Sequence, residues 1–370
     1  MTRASHPLQR QSGFTLIELM VGMVLALLTT VIIAEVLLKS EGQRRTTTEG
    51  SDAQLNGAMS LYTLQHDIQM AGYGLINNSA VLGCEVHAQY NGNAAHTAFT
   101  LAPVVITAGA SAADSDTLTV LRGGSMGVSV PIPITGNHAN TDSAFTVQSS
   151  LGIAAGDLMM ALPEAPDASN WCTIFTVQAS GSAPLSDTSV PHVTATSTWN
   201  PSTSNMPTTY AAGGTLNKIN QLVYRSYAVT GGNLVSTDLF ADNDSPSDPA
   251  PIGSQIVLMK AYYGKDTSGD GTVDTYDTST PTTAAGWQQI KTIRIAVVAR
   301  SGQREKDAVT TANPTWDVGS TVAITGANAC GNSQCLTLTV QTGTSDEWQH
   351  YRYKVFDTVI PLRNMLWSAS

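Results

Sequence analysis

The N-terminal part of the chain carries a nearly unbroken apolar run, from residue 14 to residue 38. A helix that crosses a bilayer needs about 20 mostly apolar residues, so this run predicts a transmembrane helix over residues 14–38. Glu18 lies inside it, and a carboxylate there costs roughly 2.5–3.5 kcal/mol on insertion scales. A charge kept at that cost indicates a function. Glu35, near the far end, is expected to lie at the membrane interface, and we assign it no role.

Residues 39–74 are expected to continue this helix as an amphipathic segment. Apolar residues recur there at steps of three and four, which places them on one helix face: Leu61, Leu64, Ile68 and Ala71. Gly74 is a natural stop signal. Two glycines within residues 49–57 predict a local break, and Met59, Tyr62 and Met70 are expected to pack in the protein interior and not to form a binding site.

Beyond residue 74 the pattern changes to short runs rich in β-branched and aromatic residues, separated by Gly, Pro, Asn and Asp. The clearest runs cover residues 116–123, 171–178, 220–229, 254–264, 290–301, 334–340 and 351–362. Residues 180–215 and 241–251 are poor in apolar residues and are expected to be surface loops or insertions. The chain is therefore predicted to be α+β: a long N-terminal helix whose outer half packs on a largely antiparallel sheet, with an enlarged, loop-rich β head over residues 75–370.

Composition supports this assignment and excludes one class of partner. Only 12% of residues are charged, with 31 Gly and 16 Pro, which favours β-structure joined by turns. The net charge is −10, and Arg3 and Arg10 supply +2 before residue 14, so the remainder carries −12. A nucleic-acid surface needs clustered Lys and Arg. The acidic body therefore argues against a nucleic-acid partner.

Four cysteines, an even number, indicate two disulfides in an oxidising compartment. Cys330 and Cys335 enclose a short loop, which predicts that they pair, and Cys84 with Cys172 follows by elimination. A metal site is the alternative, but a single C-x4-C pair lacks the further ligands that zinc needs. Basic residues lie on both sides of the apolar run, so charge alone does not determine the orientation of the chain in the membrane. Disulfides would determine it, because they would place the body outside the cytoplasm.

The segment GFTLIELMVG, residues 13–22, resembles the leader junction of type IV pilins, with a glycine, an aromatic residue and an acid before a long apolar helix. In that family a prepilin peptidase cuts after the glycine and methylates the new amino terminus. The resemblance implies that residues 1–13 are a cleaved cytoplasmic leader, that the cut lies between Gly13 and Phe14, and that Phe14 becomes N-methylated. It also implies that Glu18 pairs with the new α-amine of a neighbouring subunit during assembly.

Later stretches resemble one pilin subgroup, the large PilW-type minor pilins. They are residues 64–74, 290–301 and 351–367. The resemblance implies a structural subunit without enzymatic activity. It would act in the complex that initiates or caps a type IV pilus, because a bulky head would crowd the helically packed shaft. Implied partners are other minor pilins, the major pilin, the prepilin peptidase, the inner membrane and a pilus-tip adhesin. Before assembly the chain would cross the inner membrane once, with a periplasmic C-terminus; afterwards it would lie in the pilus.

Three other functions stay open at this point. A minor pseudopilin of a type II secretion system or a DNA-uptake pilus subunit would share the leader, Glu18 and the helix-plus-sheet build. A membrane-anchored hydrolase would use Ser125 in GGSMG, residues 123–127, which matches G-x-S-x-G. The nucleophile elbow needs a helix after the serine, whereas a strand-like run follows here, so we expect an ordinary hairpin turn.

An acidic loop at residues 266–277, DTSGDGTVDTYD, matches the ligand spacing of a calcium loop. The predicted ligands occupy positions one, three, five, seven, nine and twelve of that spacing: Asp266, Ser268, Asp270, the carbonyl of Thr272, Asp274 and Asp277. Asp277 departs from the pattern, because a bidentate Glu is usual at position twelve, and flanking helices are not expected. The sequence therefore predicts a structural Ca²⁺ site, with a metal-free acidic turn as the alternative.

Overall fold

The computed structural model describes residues 13, 15–75, 78–91, 97–124, 130–193, 198–219, 221–241, 245–341 and 345–366. The chain divides into two compact units, Met1–Ser51 and Asp52–Ser370. Helix α1 (Leu16–Gln69) begins in the first unit and ends in the second. It is helical throughout, so the break predicted within residues 49–57 is wrong. Ala53 is buried and Gly57 packs against Phe356, and such tertiary packing outweighs the low helix propensity of glycine. The helix ends just before Gly72 and Gly74, which both adopt positive φ.

Within the second unit, α1 packs one face into the core. The predicted apolar face is confirmed, since Leu64, Ile68 and Ala71 are fully buried. Gly57 allows close approach, because a Cβ there would overlap the ring of Phe356. The expectation that Met59 and Tyr62 pack inside is wrong: their side chains lie on the opposite face and are 58% and 70% exposed.

The described residues contain 23 strands. In chain order they are β1 (Glu85–Ala88), β2 (Thr97–Thr100), β3 (Val104–Thr107), β4 (Thr117–Gly123), β5 (Ile132–Pro133), β6 (His138–Ala139), β7 (Ala144–Thr146), β8 (Leu158–Leu162), β9 (Cys172–Thr176), β10 (Ser189–Pro191), β11 (Thr209–Tyr210), β12 (Thr215–Lys218), β13 (Leu222–Thr230), β14 (Asn233–Asp238), β15 (Ala250–Ser254), β16 (Ile256–Lys265), β17 (Thr275–Asp277), β18 (Ile290–Arg300), β19 (Thr315–Gly319), β20 (Ala323–Ile324), β21 (Asn328–Cys330), β22 (Ser333–Thr337) and β23 (Tyr353–Pro361). Short helices add α2 (Ala284–Gln288), α3 (Arg363–Leu366) and 3₁₀ turns at Ser79–Val81, Thr203–Asn205 and Asp346–His350.

The strands form several mainly antiparallel sheets. The largest has the order β2-β1-β9-β8-β12-β5, and two five-stranded sheets have the orders β15-β14-β13-β4-β3 and β20-β17-β16-β18-β23. Strands β19, β22 and β21 form a three-stranded sheet, and β10-β7 and β11-β6 are two-stranded. Two pairings, β1 with β9 and β17 with β20, are parallel. The α+β class and all seven predicted strand regions are confirmed.

Three clusters of buried side chains hold these sheets together. The main core combines the C-terminal part of α1 with side chains from the three largest sheets. A second core, which includes Phe145, Phe175 and Tyr210, lies among β7 to β12. A third, centred on Trp316, joins β16 and β18 to the three-stranded sheet.

The second core corrects the prediction that residues 180–215 are a surface loop. Val190, Met206 and Tyr210 are buried there, and β10 and β11 pair with strands 40 to 70 residues earlier. Polar side chains of the segment also form internal hydrogen bonds; for example, Asn205 Nδ2 donates to Gln89 Oε1 at 2.9 Å. Strands of two or three residues are too short to show an alternating pattern, which is why the sequence did not indicate them.

Candidate functional sites

The N-terminus of α1 is closed by a reciprocal cap between Thr15 and Glu18. The backbone N–H and the hydroxyl of Thr15 donate to Glu18 Oε2 at 3.0 and 2.9 Å. In return, the Glu18 N–H donates to Thr15 Oγ1 at 3.3 Å. This is the capping box that T-x-x-E encodes. The side chain of Glu18 therefore has a local partner at the positive end of the helix dipole, and Thr15 is a site residue that the sequence analysis overlooked.

Behind this cap lies one helical segment, Leu16–Glu41, that is long and apolar enough to cross a membrane. Its large apolar side chains are exposed all round, among them Leu19, Val24 and Ile32, each more than half exposed. Such a helix has to be covered by lipid or by other helices, since it is apolar on every side. Gly13 is exposed at its start, and Phe14 lies outside the described residues.

Both predicted disulfides are confirmed. Cys84 and Cys172 join the turn before β1 to the start of β9, with Cα atoms 6.0 Å apart. Cys330 and Cys335 close the β21–β22 hairpin, with Cα atoms 5.8 Å apart. The first links segments 88 residues apart, so it fixes the edge of the main core where the chain leaves α1.

The acidic loop brings five of the six predicted calcium ligands into one turn, residues 266–274, where the aspartate side chains form hydrogen bonds with the loop itself. Asp266 is buried and accepts hydrogen bonds from the N–H groups of Gly269 and Gly271 at 2.6 and 3.0 Å. Asp274 Oδ2 accepts from the Ser268 N–H, and Asp270 Oδ1 from the Thr272 N–H, both at 2.8 Å. The Thr272 hydroxyl, which donates to Asp270 Oδ1 at 2.6 Å, and then the Thr272 N–H lower the pKa of Asp270. The Ser268 N–H lowers the pKa of Asp274, so both carboxylates stay ionised.

The sixth predicted ligand, Asp277, lies in β17 and has another partner. Its Oδ1 accepts a hydrogen bond from Lys265 Nζ at 2.7 Å and another from the Ser279 N–H. In the described part of the chain, no group of three or more His, Cys, Asp or Glu side chains is arranged to hold a metal ion. Calcium binding stays a prediction, and it would require Asp277 to exchange Lys265 for the ion.

Polar contacts fix the end of α1 to the sheet beneath it. Asp67 accepts a hydrogen bond from Arg225 Nη1 at 2.7 Å and a second from the hydroxyl of Tyr227, both on β13. Burial opposes ionisation of Asp67, yet these two partners hold its pKa below the ordinary value. The charged network thus sets the position of the helix end on the sheet.

Ser125, the candidate nucleophile, lies outside the described residues. The flanking positions are described: Gly123 ends β4, and the next described element is the short strand β5. The helix that a nucleophile elbow requires therefore does not come next among the described elements.

Comparison with known proteins gives two family matches. Residues 8–34 match the prokaryotic N-terminal methylation motif, and residues 208–364 match type IV pilus-assembly protein W. A comparison with curated proteins finds no match. Among solved structures, a type IV-like pilin from Thermus thermophilus is similar over 84% of this chain and 96% of its own, at 9% identity and a TM-score of 0.34.

The two family matches cover three of the four stretches that carried the resemblance in the sequence, the last of them up to residue 364; residues 64–74 lie outside both matches. The first spans the apolar run with Gly13 and Glu18, and the second spans β18 and β23. The resemblance is therefore confirmed over these residues: the chain contains a prokaryotic N-terminal methylation motif and a region that matches type IV pilus-assembly protein W.

Proposed function

We propose that this chain is a minor structural subunit of a type IV pilus and acts in the tip complex that initiates assembly. The observation that carries the proposal is the coincidence of a capped, wholly apolar N-terminal helix with a methylation motif and a PilW-type region in one chain. The helix would lie in the inner membrane before assembly and pack against neighbouring pilin helices afterwards.

The cap geometry supports a role for Glu18 in docking. Thr15 engages Glu18 Oε2, while Glu18 Oε1 accepts no hydrogen bond from the described residues. Oε1 is therefore the atom to receive the α-amine that cleavage creates on a neighbouring subunit. Pairing there would remove the cost of an unpaired charge in lipid and fix the register of the two helices.

The outer half of α1 offers a second contact surface. Leu55, Met59 and Tyr62 follow one another at helical spacing on the face opposite the sheet, and each is more than half exposed. We assign this face to a neighbouring subunit, because it continues along the same helix that assembly would bury. The large head, with three cores, supports a place at the tip.

The test compares two carboxylates of the same helix. Glu18→Ala should leave membrane insertion intact but reduce the amount of the chain in sheared pili, measured by immunoblot. Glu35→Ala is the matched control and should assemble normally. Normal assembly of Glu18→Ala would contradict the docking role. Recovery of the unmutated chain only with a secretion pseudopilus would favour the pseudopilin alternative.

A further inference from the structure

A pocket of about 340 Å³ opens beside β18 and the C-terminal segment. Its walls come from the Gly231–Gly232 turn between β13 and β14, from Arg300 at the end of β18, and from Glu347, Trp348 and neighbouring aromatic residues. The two glycines keep one wall free of side chains. This volume is within the range of small-molecule sites. The proposed role in pilus assembly does not require the pocket.

Arg300 supplies an unneutralised cation to this pocket. Its guanidinium lies 4.3 Å from the centroid of the Tyr351 ring, and Nη2 donates to Gln255 Oε1 at 3.2 Å. Its Nε is buried without a hydrogen bond in the described structure. Stacking and one hydrogen bond hold the group in place, while three of its five N–H donors, on Nη1 and Nη2, have no hydrogen-bond partner among the described residues.

The carboxylate that also lines the pocket is engaged elsewhere. Arg304 Nε donates to both oxygens of Glu347, at 3.1 and 3.0 Å. Among the described residues Arg300 forms no ion pair. The pocket therefore has a net attraction for an anion, and a guanidinium fork is the group best suited to a carboxylate.

Aromatic side chains form the rest of the binding surface. Trp348, Tyr351 and Tyr353 all line the pocket. The Tyr353 hydroxyl donates to the Trp348 carbonyl at 3.0 Å, so these two residues are fixed relative to each other. Rigid aromatic residues contribute apolar contact area at a low cost in side-chain entropy.

We propose that this pocket binds an acidic sugar residue, of the uronate or sialate class. The carboxylate would bind Arg300, the C–H face of the sugar ring would pack on the aromatic wall, and its hydroxyls would reach Glu347 and Ser345. A neutral sugar would leave Arg300 without a counter-charge. A lone acidic side chain of another protein would leave the aromatic wall unfilled.

The experiment uses the full chain in detergent, titrated with digalacturonate and followed by calorimetry and saturation-transfer NMR. Arg300→Gln should weaken binding roughly tenfold to hundredfold, because a charge-assisted hydrogen bond is lost. Trp348→Ala should also weaken binding while keeping the contact of Tyr353 with the backbone carbonyl. Arg352→Gln is the matched control, because Arg352 pairs with Glu305 and does not line the pocket. This variant should bind digalacturonate as tightly as the unmutated chain does.

Three results would overturn the proposal. If a neutral disaccharide bound as tightly as digalacturonate, Arg300 would have no role in recognition. If acetate bound as tightly, the site would recognise a carboxylate alone and not a sugar. Absence of saturable binding by galacturonate, glucuronate and N-acetylneuraminate, with the unmutated chain still folded, would show that the pocket is no sugar site. Because the assay needs no pilus, its outcome is independent of the proposed assembly function.

Discussion

A buried histidine pair predicts that the head loses stability at mildly acidic pH. His138 Nε2 and His192 Nε2 are 2.7 Å apart in the second core, where the His138 ring stacks on Phe145. One ring must donate and the other accept, so at least one of the two rings is neutral. Burial lowers the pKa of His138 to about 4. Burial, and then the neighbouring His138, lower the pKa of His192 to about 3, although Asp142 opposes both shifts. The other titratable group in contact, Tyr210, has a pKa that burial raises.

The sign and size of the effect follow from these pKa values. Both lie below the ordinary value of 6.5, so the unfolded chain binds more protons between about pH 6.5 and pH 4. The stabilisation is complete above pH 6.5 and is lost as the pH falls toward the folded-state values. At pH 5 each histidine should stabilise the fold by about 2 kcal/mol less than at pH 8, or roughly 4 kcal/mol for the pair. That is a large share of a typical net stability of about 5–15 kcal/mol.

Urea unfolding of the full chain in detergent, followed by tryptophan fluorescence at pH 8 and pH 5, measures this loss. The double variant His138→Phe, His192→Leu should remove most of the pH dependence, because it deletes both titrating groups and keeps the site apolar. His66→Gln is the control, since the His66 side chain is 66% exposed, and it should behave like the unmutated chain. An unchanged free energy of unfolding between the two pH values, or the same loss in the double variant, would refute the reasoning.

Three further predictions concern the helix and the acidic loop. Gly57→Ala should lower the free energy of unfolding by about 1–3 kcal/mol, because its Cβ overlaps Phe356; Gly50→Ala, which meets no neighbour, should instead raise it by about 0.5–1 kcal/mol. In the same urea assay, Asp67→Ala should cost about 2 kcal/mol by leaving its two partners on β13 unsatisfied, and no change would mean that the network is dispensable. Calcium at a hundredfold excess over Kd should add about 2.7 kcal/mol to stability, and Asp270→Ala should abolish that gain; identical thermal melts with calcium and with chelator would leave the loop a metal-free turn.

The sequence predicted those elements whose signal is local. Residues 61–69 of α1 and strands such as β16 and β18 show periodic apolar positions over eight or more residues. Such a run is long enough to identify both the type of element and its buried face. The Cys330–Cys335 pair was predictable because only four residues separate the two cysteines. Thr15 was also encoded locally, as T-x-x-E, but Glu18 had been assigned to assembly alone.

Features built from distant segments were not predictable. His138 and His192 are 54 residues apart, and they meet only because β10 and β11 pair with β7 and β6. The sugar pocket depends in the same way on the alignment of β18 with β23, which brings Arg300 opposite Tyr353. The exposure of Met59 and Tyr62 was not predictable, because hydrophobicity alone does not distinguish a helix face buried in the fold from an exposed one.

The central claim is that this chain is processed as a prepilin and enters a fibre. The most direct measurement is mass spectrometry of the N-terminal peptide of the chain recovered from sheared, purified pili. We expect a peptide that begins at Phe14 and carries one additional methyl group on its α-amine. Recovery of a chain that retains residues 1–13, or absence of the chain from the fibre fraction while it is present in the inner membrane, would contradict the account.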